Sequence, residues 1–127
     1  MRGRLPENRP RAARRLLGGR GEELAAAFLV RRGYQVLARN YRTPHGEVDL
    51  IARQGGCLVF IEVKTRRSES FGLPQEAVHP AKQEKLRAVA AHFLQEQGLE
   101  EVPVRFDVVA VLLTPRGPVI DLIQQAF

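Results

Sequence analysis

The sequence predicts one α/β domain with seven elements in the order αβββαββ. Three observations predict this class. A helical stretch near the start ends at a glycine, a Gly-Gly pair joins two apolar strand-like runs, and a second helical stretch separates these strands from two more. At 127 residues the chain is long enough for one domain with a substantial core, but not for two.

The first half of the chain contains the first helix and three strands. Gly33 is a typical residue for ending a helix, and Gly55-Gly56 is typical of a two-residue hairpin loop. The predicted elements are a helix over GEELAAAFLVRRG (21–33) and strands over YQVLARNYR (34–42), EVDLIARQ (47–54) and CLVFIEVKTR (57–66).

The second half begins with a polar connection over residues 67–79, long enough for a functional loop. Pro80 is suited to the first position of a helix that ends near Gln97, with Gly98 as its stop. One apolar stripe follows the helical repeat along it: Leu86, Val89, Ala90, Phe93 and Leu94. Residues 104–113 and 119–127 are the last two predicted strands.

The positive charge is concentrated at the N-terminus. Residues 1–20 contain seven arginines and one acidic residue, which accounts for the whole net charge of +6. We therefore expect a flexible, arginine-rich arm over residues 1–19 and a single domain over residues 20–127. The composition leaves two roles open for the arm, namely salt-sensitive phosphate binding and simple solubilisation.

Several classes of protein are disfavoured by composition. The single cysteine, Cys57, excludes a disulfide framework or a cysteine-rich zinc site within one chain. No apolar run approaches the ~18 residues that span a bilayer, and the basic N-terminus lacks the apolar stretch of a signal peptide. We expect a cytoplasmic protein that does not bind membranes.

Two carboxylates interrupt the second and third strands. If Gly55-Gly56 forms a two-residue loop, Asp49 lies opposite Glu62 and Glu47 lies opposite Lys64, all on one face. Like charges opposed at about 4.5–5.5 Å are destabilising, so this pair calls for a cation. Magnesium, which prefers carboxylates, water and phosphate oxygens, is suitable.

The alternative is a structural salt-bridge ladder, with Glu47 paired to Lys64, and Asp49 or Glu62 paired to Arg53 or Arg66. The stretch CLVFIEV favours the metal interpretation because it is apolar on both faces up to Glu62, as in a central strand. A charge at such a position is costly unless it has a partner.

At this point the motifs match known families. Asp49, twelve residues and then Glu62-Val63-Lys64 resembles the restriction-endonuclease-like core, a mixed central sheet flanked by helices. GEELAAAFLVRRGY, RNYR, GEVDLIA, FIEVKTR, FG-P-EAV and the later Lys82 look like the YraN family of small bacterial proteins, over roughly residues 20–113. That family is similar in motif to archaeal Holliday-junction resolvases.

The resemblance implies a catalytic centre. Asp49 and Glu62 would bind Mg²⁺, or Mn²⁺ in its place, with the Val63 carbonyl as a third ligand. Lys64 would position or deprotonate the attacking water. A glutamate of the first helix, Glu22 with Glu23 as the alternative, would reach the metal or its water shell. Glu22 has a second interpretation, as an acid that complements the helix dipole.

Basic residues near these strands predict nucleic-acid binding, through Arg39, Arg42, Arg66, Arg67 and Lys82. The resulting function is a Mg²⁺-dependent endonuclease that hydrolyses DNA, with branched DNA and a homodimer implied by the resolvases. RNA stays open as a substrate. The alternative function is a non-catalytic nucleic-acid-binding or recruiting protein on a nuclease fold.

Overall fold

The computed structural model describes residues 15–67 and 78–127. Its elements follow the predicted order αβββαββ, which confirms the α/β class. They are α1 (Arg15–Arg31), β1 (Gln35–Thr43), β2 (Gly46–Gln54), β3 (Cys57–Arg67), α2 (Pro80–Gln97), β4 (Val104–Thr114) and β5 (Gly117–Ile123).

The five strands form one mixed sheet in the order β1-β2-β3-β4-β5. Strands β3 and β4 are parallel, and the other three neighbouring pairs are antiparallel. The parallel pair needs a crossover connection, and α2 lies in that connection. The predicted mixed central sheet is therefore confirmed, with β3 at its centre.

The two helices cover opposite faces of the sheet. Helix α1 packs through Ala25, Ala26 and Leu29 on side chains that include Val59 and Ile61 of β3. Helix α2 packs on the other face, against a cluster that includes Leu58 and Phe60 of the same strand. Since alternate residues of β3 enter both cores, this strand is buried on both sides.

The hairpin between β2 and β3 has the predicted geometry. Gly55 has a φ of +60°, which favours glycine, and the loop is two residues long. Ladder pairs run from Gln54 with Cys57 to Leu50 with Ile61. The register inferred from the Gly-Gly pair is thus confirmed over these five pairs.

Helix α2 has the predicted bounds. Pro80 is its first residue, and Gly98 caps its end at φ 68° with its N–H directed to the carbonyls of Leu94 and Gln95. Helix α1 begins at Arg15, earlier than predicted, so residues 15–19 are helical. Residues 1–14 of the predicted arm lie outside the described residues.

The predicted last strand is wrong at its C-terminal end. Strand β5 stops at Ile123, and Gln125 adopts a φ of 54° where the chain turns. The Ala126 N–H donates to the Phe106 carbonyl, and the Phe127 ring stacks on Phe106 at 4.9 Å between centroids. These contacts hold residues 124–127 against β4 instead of extending β5.

Most of the predicted connection over residues 67–79 also lies outside the described residues, which resume at Val78. Within the described ranges, neither helix is long and apolar enough to cross a membrane.

Candidate active site

Both helices approach the same end of the sheet, where β3 ends. An ideal Cβ placed on Gly21 of α1 would lie only 1.8 Å from Thr65 Oγ1 of β3, so this approach requires glycine. On the other face, a Cβ on Gly46 at the start of β2 would lie 3.9 Å from Lys85 Cβ of α2. The second turn of each helix, with Gly21 in α1 and Lys85 in α2, therefore lies close to this end of the sheet.

The regular alternation of side chains between the two faces of the sheet is interrupted in β2 at Asp49. Val48 and Ile51 both belong to the core under α2, whereas Leu50 belongs to the core under α1. A regular strand would place Val48 and Ile51 on opposite faces. The β1–β2 pairs skip from Arg39–Leu50 to Tyr41–Val48, and Asn40 has a φ of 52°. Asp49 therefore lies at an irregular point shared by two strands.

The side chain of Asp49 continues the contact between β2 and β3 where the backbone ladder stops. Its Oδ2 accepts a hydrogen bond from the Val63 N–H at 2.7 Å. The expected direct ladder pair of Asp49 with Glu62 is not formed, because the last ladder pair is Leu50 with Ile61. The sequence analysis placed Glu47 and Asp49 on one face because side chains alternate along a regular strand. The irregularity interrupts that alternation between the two residues.

The electrostatic environment of Asp49 is unfavourable for a carboxylate. Burial and then the charge of Glu62 raise its pKa from 3.8 to about 8, and Glu22 adds a smaller rise. The Val63 N–H and the charge of Lys82 lower the pKa, but by less. Asp49 and Glu62 therefore repel each other strongly enough to favour a bound proton or another cation.

Glu62 is the most deeply buried member of the site, at 5% exposure. Its Oε2 lies 3.0 Å from Lys82 Nζ and 3.9 Å from Lys64 Nζ. Its Oε1 is buried and has no hydrogen-bond partner among residues 15–67 and 78–127. Glu62 and Lys64 thus share a face, as predicted, and Lys82 of α2 approaches Glu62 more closely than Lys64 does.

The structure separates the two candidate glutamates of α1. Glu22 is buried, whereas Glu23 is exposed. The charge of Glu22 also contributes to the raised pKa of Asp49, so Glu22 faces the site. Helix α1 therefore supplies a third acid, as the resemblance implied for Glu22.

Glu22, Asp49 and Glu62 are not arranged as a complete set of metal ligands. Among residues 15–67 and 78–127, no group of three His, Cys, Asp or Glu side chains is close enough to hold a metal ion. The donors nonetheless suit a hard divalent cation, because two carboxylates repel each other and one buried oxygen has no partner in the same ranges. The Val63 carbonyl stays a predicted ligand.

The other predicted basic residues lie around this end with different partners. Arg42 Nε is 3.1 Å from Glu47 Oε1, in an ion pair between β1 and β2. Arg66 and Arg67 end β3 beside Leu112 and Leu113 of β4. Arg39 is half-buried on β1, one residue before the irregularity at Asn40.

A second polar cluster, which the sequence analysis missed, is centred on β4, where Asp107 pairs with Ile61 of β3. Asp107 of β4 is 1% exposed, and Arg105 donates to it from Nε at 2.9 Å and from Nη2 at 2.8 Å. Tyr34 and Gln124 join this cluster through hydrogen bonds. Its signal was Asp107 in the apolar run VRFDVVAVLL, the same signal that identified Asp49 and Glu62.

Fold and site together define a small α/β protein with a buried carboxylate–lysine centre at one end of a mixed sheet. The chain belongs to the uncharacterised protein family UPF0102, whose model matches residues 21–111. This confirms the YraN family that the motifs indicated.

Relatives match most of the chain. The UPF0102 protein of Syntrophus aciditrophicus (strain SB) is 50% identical over 110 residues, which cover 87% of each chain. The UPF0102 protein of Caldicellulosiruptor saccharolyticus is 48% identical over 116 residues, covering 90% of this chain and 98% of the relative. Among solved structures, SfsA of Pyrococcus furiosus in complex with Ca²⁺ is similar at a TM-score of 0.35 and 15% identity. That match covers 87% of this chain and 63% of SfsA.

Proposed function

We propose that this protein is a metal-dependent nuclease that hydrolyses DNA phosphodiester bonds. The observation that carries the proposal is Glu62, a buried carboxylate with one oxygen that no described residue pairs, next to the repelling carboxylate of Asp49. Such an arrangement destabilises the protein unless it is used. Carboxylates that share a strained position with lysines are suited to divalent-cation chemistry.

Each residue has a role in this proposal. Asp49 and Glu62 would hold Mg²⁺, or Mn²⁺ in its place, with the Val63 carbonyl as a further donor and Glu22 orienting the surrounding water. The metal would activate water and neutralise charge on the scissile phosphate. Lys64, on the same face as Glu62, would orient that water or accept its proton.

The location of the site supports a phosphate substrate. Helix α2 begins beside it, since Lys82 of its first turn contacts Glu62, and helix N-termini favour anions. Arg39, Arg42, Arg66, Arg67 and Lys82 would contact flanking phosphates, with branched DNA as one substrate class and a homodimer as the assembly suited to cutting it. The proposed location in the cell is the cytoplasm.

A second candidate is a non-catalytic nucleic-acid-binding or recruiting protein. It is favoured by one observation, namely that no three potential ligands of the described residues are arranged to hold a metal. On this alternative, the site lysines and arginines would bind phosphates without hydrolysis, and divalent cations would leave the nucleic acid uncut.

A cleavage assay separates the two. Duplex, single-stranded, flapped and four-way-junction DNA and a matched RNA would be incubated with Mg²⁺, Mn²⁺ or EDTA. Asp49→Ala and Lys64→Ala are the test variants, and Asp121→Ala and Lys85→Ala, at exposed positions, are the matched controls. The proposal predicts metal-dependent cuts that only the test variants lose. Binding to DNA without cuts under every condition would favour the non-catalytic function.

A further inference from the structure

Lys82 is an internal cation of the candidate site. Its Nζ is 3.0 Å from Glu62 Oε2, whereas Nζ of Lys64, from the sequence motif, is 3.9 Å away. Lys82 therefore provides the shorter of the two described ion pairs of Glu62.

Position and mobility distinguish Lys82 from an ordinary ion pair. It lies in the first turn of α2, and its side chain is 36% exposed, while that of Glu62 is 7% exposed. A lysine ammonium is a point charge on a flexible stem, so it can leave the carboxylate while the helix stays in place. The buried glutamate cannot move into water as easily.

The two oxygens of Glu62 differ in their partners among the described residues. Lys82 and Lys64 both approach Oε2, and within the described part of the chain the buried Oε1 has no partner. A monovalent ammonium thus compensates the carboxylates only in part, and a divalent cation would compensate them better. A divalent cation that binds both oxygens of Glu62 would take Oε2 from Lys82.

We propose that Lys82 is the counter-ion of the metal-free site, and that a divalent cation binds by displacing the Lys82 ammonium group from Glu62. This inference rests on the proposed function. The released ammonium stays at the mouth of the site, where it can pair with a substrate phosphate. One lysine would then neutralise Glu62 before the metal binds and the nucleic acid afterwards.

Calorimetric titration of metal-free protein with Ca²⁺ and Mn²⁺, without nucleic acid, tests the exchange. Lys82→Met keeps an unbranched, flexible side chain and removes its charged end, and Lys85→Met is the matched control at an exposed position of the same helix. We expect Lys82→Met to bind the ions about tenfold more tightly, because no ammonium must leave. Its metal-free form should also melt at a lower temperature, and saturating metal should restore more of its stability than in the wild type.

A second measurement needs no variant at position 82 and so applies even where Lys82→Met does not fold. Acetylation of lysines, followed by mass spectrometry, would be compared with and without saturating Ca²⁺. The proposal predicts that Lys82 becomes more reactive when Ca²⁺ binds, whereas Lys85 does not change.

The outcomes separate this inference from the proposed function. Ion binding that Asp49→Ala abolishes, but that Lys82→Met leaves equal or weaker, would overturn the counter-ion exchange and leave the metal centre standing. Unchanged Lys82 reactivity on metal binding would overturn it as well. If neither the wild type nor Lys82→Met binds a divalent ion, the metal centre and the exchange both fail.

Discussion

Two buried carboxylates, Glu62 on β3 and Asp107 on β4, occur in similar apolar strand sequences but have opposite surroundings. Asp107 accepts four hydrogen bonds, from Arg105 twice, from the Tyr34 hydroxyl and from the Gln125 N–H. Of the residues that the structure describes, two lysines pair with one oxygen of Glu62, and none pairs with its other, buried oxygen. Both oxygens of Asp107 are therefore hydrogen-bonded, whereas only one oxygen of Glu62 is paired by a described residue.

This difference indicates which cluster is structural. A carboxylate with its acceptor sites occupied by a guanidinium, a hydroxyl and a backbone N–H needs no ligand. The Asp107 cluster also joins β4 to Tyr34, which follows α1, and to Gln124, which follows β5. Repulsion among Glu22, Asp49 and Glu62 instead leaves a site that a cation would stabilise.

The largest effect on stability is expected from breaking the Asp107 cluster. Arg105→Met would leave a buried carboxylate without its cation, so we expect a loss of about 3 kcal/mol in the free energy of unfolding. Urea denaturation would measure it, with Arg116→Met at an exposed position as the control. A loss no larger than that of the control would show that the Asp107 cluster is not structural.

A smaller loss of stability is expected from a substitution at the contact between α1 and β3. Gly21→Ala places a Cβ against Thr65 Oγ1, which we expect to destabilise the fold by about 1–3 kcal/mol and to shift Glu22. Gly19→Ala is the control, because its Cβ meets nothing within 4 Å and alanine favours helices. Adding Thr65→Ala to Gly21→Ala should recover part of the loss. Equal stability of the two glycine variants would contradict the close approach.

The smallest change in stability is expected from a substitution at Asp49, and it is a gain instead of a loss. Its pKa is about 8 in the folded protein and 3.8 ordinarily, so the folded state holds this proton more tightly than the unfolded state. Protonated Asp49 therefore makes its whole contribution to stability below about pH 4, and this contribution is lost as the pH rises to about 8. In EDTA, Asp49→Asn should therefore be more stable than the wild type at pH 8, by on the order of 1 kcal/mol.

Thermal melting from pH 4 to pH 9 would measure this difference, with Asp121→Asn as the exposed control. The gap between Asp49→Asn and the wild type should widen as the pH rises. A gap that stays constant or narrows would show that the carboxylates do not repel each other in the metal-free protein.

The sequence was sufficient where local rules determine the structure. Gly55-Gly56 determined the hairpin and its register, and Pro80 and Gly98 determined the bounds of α2. The site acids followed from charges placed in apolar strands. The same rule did not distinguish Asp107 from Glu62, because the difference lies in partners that are distant along the chain.

The remaining features depend on tertiary contacts. Asn40 adopts a positive φ that asparagine tolerates but that the sequence does not require, so the irregularity at Asp49 could not be predicted. Helix α1 extends through Gly18-Gly19, which locally disfavours a helix. Lys82 is twenty residues from Glu62 and meets it only because α2 packs across the sheet.

The most direct test of the account compares the two carboxylates in one assay. Mn²⁺-dependent cleavage of DNA would be measured for the wild type, Glu62→Gln and Asp107→Asn, with each rate expressed per folded molecule. We predict that Glu62→Gln loses about 100-fold or more of the rate, while Asp107→Asn retains it. Cleavage by Glu62→Gln at the wild-type rate, or no metal-dependent cleavage by the wild type on any nucleic acid, would contradict the account.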